Sequence, residues 1–201
     1  MCPFCYIGKR HFEKALKQFE GRDEITVTWK SFQLDPTISA APGTSVYDYL
    51  AERKGMSREQ SVQMHARVTE MAKAAGLNYD FDRAVIANSF NAHRFAHYAA
   101  SKGLQDAAEE ALFSAYFTLG KDIGNTETLV QIGESIGLEA EETYNVLNSD
   151  RFSAEVRMDI TEAQELGARG VPFFVIDRKY GISGAQPVET FIQVLEKAKN
   201  G

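Results

Sequence analysis

The chain has 201 residues, 44% of them hydrophobic and 25% charged, which is enough to build one large domain or two small ones and rules out a disordered or fibrous polymer. Its 22 Lys and Arg stand against 28 Asp and Glu for a net charge of −6, and no basic run is interleaved with aromatics, so a nucleic-acid partner is not expected. No apolar stretch reaches the ~20 residues of a membrane span and no basic-then-apolar leader opens the sequence, so the expectation is a cytoplasmic protein without membrane association.

Two cysteines are too few for a disulfide framework, and both lie in Cys2-Pro3-Phe4-Cys5. A C-x-x-C can be half a zinc site, a structural pair or a redox dithiol. Zinc wants four ligands, and only His11 stands near in sequence, so redox chemistry is the favoured reading. Cys5, Gly8, Phe12, Leu16 and Phe19 recur at steps of three and four, which predicts a helix from the motif to about Gly21 with Cys5 on its buried stripe. Cys2 then precedes the first turn, where free N–H groups and the helix dipole favour a thiolate. The pair therefore reads as an exposed, attacking Cys2 and a sheltered, resolving Cys5. Lys9 and Arg10 either add positive charge near Cys2 or are solvated surface charges.

Glu24 to Leu34 reads as a strand with a bulge near Lys30-Ser31, because Ile25, Val27 and Trp29 alternate before the phase slips to Phe32 and Leu34. Asp35-Pro36 and Ala41-Pro42-Gly43 mark a linker. From Ser45 to about Gly137 the pattern is helical throughout. Ser57-Arg58-Glu59-Gln60 has the form of a capping box, Met64, Val68, Met71 and Ala75 form a stripe, and Gly76 supplies the stop. Further helices are predicted over Asn88 to Gly103, around Leu104 to Leu119, at Leu129, Ile132 and Ile136, and at Tyr144 and Leu147. His93 and His97 share a helix face at a zinc-compatible spacing, but no third ligand is identifiable. A helix over Phe152 to Gly167 leads to the β-rich run Val171 to Asp177, a second strand at Tyr180 to Ser183, and a last helix opened by Pro187 with Val188, Phe191, Ile192 and Leu195 facing inward.

These residues resemble a family. The C-P-x-C at a helix start, the strand, the long helical insertion and the G-V-P-F-F-V strand with its hairpin are similar to the DsbA-like thioredoxin-fold oxidoreductases. Cys2 to Lys9, Phe32-Gln33-Leu34-Asp35-Pro36, Asn88-Ser89-Phe90-Asn91-Ala92-His93-Arg94 and Ser183-Gly184-Ala185-Gln186 are similar to the FrnE-like branch. The resemblance implies an α/β, thioredoxin-like fold with a large inserted all-helical domain: residues 1–37 and 149–201 form the thioredoxin-like domain and 38–148 the insertion. It implies Cys2 and Cys5 as the catalytic dithiol, a cis Pro172 facing them, and substrate contacts from the backbone of Val171 and from Pro172, Phe4, Asn91, His93 and Arg94, the last three near the cleft between the domains.

The implied activity is thiol–disulfide exchange with protein or small-thiol substrates, with no cofactor beyond the dithiol itself, no metal, glutathione as a candidate reductant and a homodimer as a candidate assembly. Two other readings stand beside it. One is a glutathione-dependent isomerase or transferase of the 2-hydroxychromene-2-carboxylate isomerase or kappa-class type, where the position of Cys2 is typically Ser. The other is a non-catalytic binding module. The family also places a central strand directly before its C-x-x-C, whereas here Cys2 follows Met1. The expectation is that the natural protein begins upstream, or that a segment of another chain fills the gap.

Overall fold

A computed structural model describes residues 1–38 and 43–201, and nine α-helices and one β-hairpin lie among them. Helix α1 spans Pro3–Gln18, with Pro3 in the first turn, where its missing N–H would have had no partner. Tyr6, Ile7, Gly8, Lys9 and Ala15 are all buried. They do not fall on one stripe, because α1 runs between two cores.

The smaller core joins α1 to strands β1 (Phe173–Ile176) and β2 (Tyr180–Ser183) and to the last helix, α9 (Val188–Asn200). The rings of Phe12, Phe174 and Phe191 meet there at centroid distances of 4.8 to 5.6 Å. The strands are antiparallel, with Phe173 opposite Ser183 and Ile176 opposite Tyr180. Their turn places Asp177 and Arg178 at φ 50° and 55°, the left-handed pair that matches strand twist.

The larger core is helical: α2 (Val46–Lys54), α3 (Arg58–Ala74), α4 (Phe90–Ser101), α5 (Gln105–Phe117), α6 (Thr126–Ser135) and α7 (Ala140–Leu147), with α8 (Ser153–Glu165) against α4. The capping box forms as the sequence predicts: the Ser57 N–H donates to Gln60 Oε1 at 2.9 Å and the Gln60 N–H to Ser57 Oγ at 3.2 Å. Tyr6 and Ile7 of α1 belong to this core as well, so the helix that carries the cysteines bridges both. No helix among the described residues is long and apolar enough to cross a membrane.

Three expectations are corrected. The strand over Glu24 to Leu34 is absent: a short 3-10 turn at Arg22–Glu24 leads into an extended segment with no ladder partner among the described residues, β1 included. Alternation reports an extended backbone with two unlike faces, not a neighbour to pair with. Here side chains supply the partners. Gln105 accepts from the Trp29 N–H at 3.2 Å and donates to its carbonyl at 3.1 Å, and the Ser31 N–H donates to Asp159 Oδ2 at 2.9 Å.

The region from Ser45 to Gly137 is not helical throughout either. Residues 77–89 form an ordered loop that buries Leu77, Tyr79, Phe81, Ala84, Ile86 and Ala87, apolar spacing that mimics a helix without repeating at its period. The inward face of α3 is rotated as well, toward Ser61, Val68, Ala72 and Ala75, leaving Met71 exposed. Of the linker Ala41-Pro42-Gly43, Ala41 and Pro42 lie outside the described residues.

Candidate active site

Cys2 is the N-cap of α1, at φ −96° and ψ 120°, and its side chain makes no capping bond. The open first turn therefore faces its sulfur, and the Cys5 N–H donates to the Cys2 carbonyl at 3.2 Å. Both cysteines are free thiols. Across 169 residues of chain, the Cys2 thiol donates to the Val171 carbonyl at 3.3 Å, and the Val171–Pro172 bond is cis.

Gly8 makes this approach possible. A Cβ there would lie 3.2 Å from Pro172 Cγ and 3.3 Å from Phe174 Cζ, so a larger residue would push the proline strand off the helix. The Ser183–Gln186 motif fastens the same strand from the other side. The Gly184 N–H donates to the Pro172 carbonyl at 2.8 Å, and His11 Nδ1 lies 2.8 Å from the Gln186 carbonyl. Tyr79, from the long loop, donates to the Pro3 carbonyl at 2.7 Å and grips the motif itself.

The two sulfurs are electrostatically unlike. Cys2 is lowered to about 7, chiefly because the Cys5 thiol donates to its sulfur, with the N–H groups of Cys5 and Phe4 adding to this against the opposing effect of burial. Cys5 is pushed up by that same hydrogen bond, by burial, and by negative charge at Cys2 and Glu109. The expected order of exposure is corrected: Cys2 is only 9% exposed and Cys5 is the more open residue. The Val171 carbonyl, just before β1, lies against the Cys2 sulfur. The difference in acidity between the two thiols follows from hydrogen bonding and not from the exposure of Cys2.

Lys9 and Arg10 are not solvated surface charges. Lys9 is 4% exposed and lies 3.0 Å from Glu110 and 3.4 Å from Asp106, with Glu13 a third partner. Arg10 pairs with Glu13 at 2.8 Å and with Glu110, and stacks its guanidinium 4.8 Å from the Tyr6 ring centroid. Against the opposing effect of burial, Arg10, Tyr6 and Lys9 hold Glu110 down to about 2. With these carboxylates around them, the two cations are spent locally, and neither is free to set the charge on Cys2. Sequence reasoning missed Asp106, Glu109 and Glu110. Three acids within two turns of a helix otherwise rich in Ala and Phe was the available signal.

The remaining candidates separate. Phe4 is 36% exposed beside the dithiol. His93 Nε2 meets the Phe32 carbonyl at 3.1 Å, and burial pushes the ring down to about 4. Arg94 is corrected as a substrate contact. Its five N–H donors go to the carbonyls of Val146, Leu147, Ser149 and Arg151 and to Asn91 Oδ1, closing the end of α7 and leaving none for a ligand. Asn91 lines an open cavity of about 550 Å³ with Gln33, Asn88, Phe90, Asp122 and Arg157, among others, and no residue of the dithiol motif borders it. The Asn88 to Arg94 motif thus fastens α4 to the extended segment, where Gln33 Nε2 donates to Asn88 Oδ1 at 3.0 Å. His97 is likewise occupied, at 2.9 Å from Asp159.

The family model described as "DSBA-like thioredoxin domain" matches residues 1–196. A probable DsbA oxidoreductase from Streptomyces coelicolor is 40% identical, with a TM-score of 0.92 over 99% of this chain and 86% of its own. An uncharacterized protein of Bacillus subtilis, YwbO, is 26% identical over 99% of this chain and 94% of its own. The cytosolic disulfide reductase DsbM of Pseudomonas aeruginosa, solved with glutathione, shares the fold at a TM-score of 0.66 and 19% identity, covering all of this chain and 96% of its own.

Proposed function

The chain belongs to the DSBA-like thioredoxin domain family, and from that premise we propose that it exchanges disulfides with protein or small-thiol substrates through Cys2 and Cys5. The observation that carries this reading is the paired asymmetry at one helix start: a Cys2 sulfur lowered to about 7 beside a Cys5 thiol pushed up, under the backbone of Val171. A thiol near ambient pH combines a useful thiolate fraction with nucleophilicity.

In the reductive direction the Cys2 thiolate attacks a substrate disulfide, forming a mixed disulfide and releasing one substrate thiolate. Cys5 then attacks the Cys2 sulfur, releases the second substrate thiolate and leaves the Cys2–Cys5 disulfide. Two equivalents of a small thiol such as glutathione return the dithiol. A cytoplasmic, reducing setting drives the cycle this way by mass action. Having two cysteines sets this chain apart from a glutathione-dependent isomerase, for which one thiol-binding residue suffices.

Insulin reduction with glutathione as donor tests the reading. The wild-type protein should turn over, Cys2→Ser should not, and Cys5→Ala should accumulate mixed disulfides through Cys2. Full activity in Cys2→Ser, or glutathione conjugation without disulfide reduction, would refute it.

A further inference from the structure

The Cys2 sulfur sits between two unlike partners. On one side its thiol proton goes to the Val171 carbonyl, and the side chain makes no capping bond to α1. On the other side lies the open first turn of the helix. Pro3 has no N–H, the Cys5 N–H is given to the Cys2 carbonyl, and the Phe4 N–H has no backbone acceptor among the described residues. Once the thiol proton leaves, the sulfur can only accept. An N-cap side chain accepts from the second and third residues of its helix, which here are Phe4 and Cys5.

The Phe4 N–H belongs to the same planar, conjugated peptide unit as the Pro3 carbonyl. That carbonyl receives the Tyr79 hydroxyl at 2.7 Å, across 76 residues of chain. Tyr79 is buried, with its ring stacked on Phe117 at a centroid distance of 4.6 Å and set edge-on to Phe81 at 5.6 Å. The hydroxyl is therefore held in place by a packed ring, and burial keeps the phenol protonated as a donor. A hydrogen bond accepted at a peptide carbonyl polarises the unit and strengthens the bond its N–H can give.

We propose that Tyr79 is a positioning residue for the dithiol: through the Pro3–Phe4 peptide it strengthens the Phe4 N–H as a donor to the Cys2 thiolate. This rests on the exchange reaction proposed above, in which that thiolate is the nucleophile. The long loop over residues 77–89 thereby acts on the sulfur chemistry of α1 without touching either sulfur. The other groups facing the pair are few. The Met1 amino group favours both thiolates and itself faces His93 of α4, Glu109 of α5 faces Cys5, and Arg10 and Tyr6 of α1 face Tyr79. Val171 and Pro172 carry no charge. Tyr79→Phe leaves all of these in place, so a change in Cys2 acidity reports the hydroxyl.

The midpoint of Cys2 is read in the reduced protein from iodoacetamide alkylation rates and from the Phe4 amide proton resonance, across pH 5.5 to 9. In the wild type the Phe4 resonance should titrate with the alkylation midpoint. Tyr79→Phe should raise that midpoint by about 0.3–0.5 units, slowing alkylation at pH 6 about two- to threefold. A ring-fluorinated tyrosine in place of Tyr79 is a stronger donor of the same shape and should lower the midpoint, a direction that loosened packing does not produce. An unmoved midpoint in Tyr79→Phe, a midpoint raised by the fluorinated ring, or a wild-type Phe4 amide that does not follow Cys2 overturns the proposal. Insulin reduction separates it from the reaction it serves. With exchange operating, Tyr79→Phe should be slower than the wild type at pH 6 and match it at pH 9. A protein whose midpoint shifts as described but which reduces no insulin overturns the exchange reading and leaves the link from Tyr79 to Cys2 standing.

Discussion

Cys2 and Cys5 lie within one helical turn, yet they occupy opposite ends of the thiol range because only one of them receives hydrogen bonds. The Cys5 thiol is the first of the donors to Cys2. The alkylation rate of Cys2 should therefore rise with pH through a midpoint near 7, while Cys5 stays unreactive in that window. Removing the donor disfavours the thiolate, so in Cys5→Ala the midpoint should climb toward the ordinary value of about 8.5, and in Cys5→Ser, which keeps a hydroxyl donor, it should climb less. Site-resolved iodoacetamide kinetics measure both. An unmoved midpoint in Cys5→Ala would mean that the helix N-terminus, rather than Cys5, activates Cys2.

Among the elements, the extended segment after α1 is the least self-sufficient. Its backbone is held by a side-chain amide and a carboxylate from two different helices, with Gln105 serving both polar groups of Trp29. Gln105→Met keeps the length of the side chain and removes both bonds. It should lower stability by about 1–3 kcal/mol, at 0.5–1.5 kcal/mol for each bond. Amide exchange at Trp29 should also accelerate ahead of global unfolding. Urea titration and hydrogen exchange measure the two effects, and a Trp29 amide that still exchanges only on global unfolding would show that packing alone fixes the segment.

This segment also marks what the sequence could and could not disclose. Features carried by neighbouring residues were legible: the C-x-x-C at a helix start, the capping box at Ser57 and Gln60, the hairpin at Asp177 and Arg178, and the inward Phe191 and Leu195 of α9. Features made by residues about fifty to a hundred or more apart in the chain were not. The Gln105 clamp on Trp29, the Glu110 partnership of Lys9 and Arg10, and the Arg94 cap on α7 each join distant positions whose local pattern says only "polar". The Cys2–Val171 contact joins positions farther apart still, but the family resemblance pairs those two regions.

At the scale of the whole molecule, α1 is shared between an apolar hairpin core and a helical core, and the helical part carries titratable groups shifted by burial. Two of them oppose each other in their effect on stability. Burial, with the charge of Asp106, raises Glu109 from 4.5 to about 7, so the folded protein keeps a proton that the unfolded chain has lost, and stability falls as pH climbs through that interval. Burial lowers His93 from 6.5 to about 4, so between those values the unfolded chain binds the extra proton, and stability rises with pH. Each limb is on the order of 3 kcal/mol, and their near cancellation predicts a plateau from about pH 4.5 to 6.5. Below it, Asp159 and Glu110, both held down to about 2, make stability fall as pH drops from about 4.5. Urea denaturation across pH 2.5 to 7 should show this profile in the wild type, a slope rising with pH in Glu109→Gln, and a slope falling with pH in His93→Gln. A flat profile in both variants would mean that water reaches the two groups in the folded state and that neither is desolvated as the geometry requires.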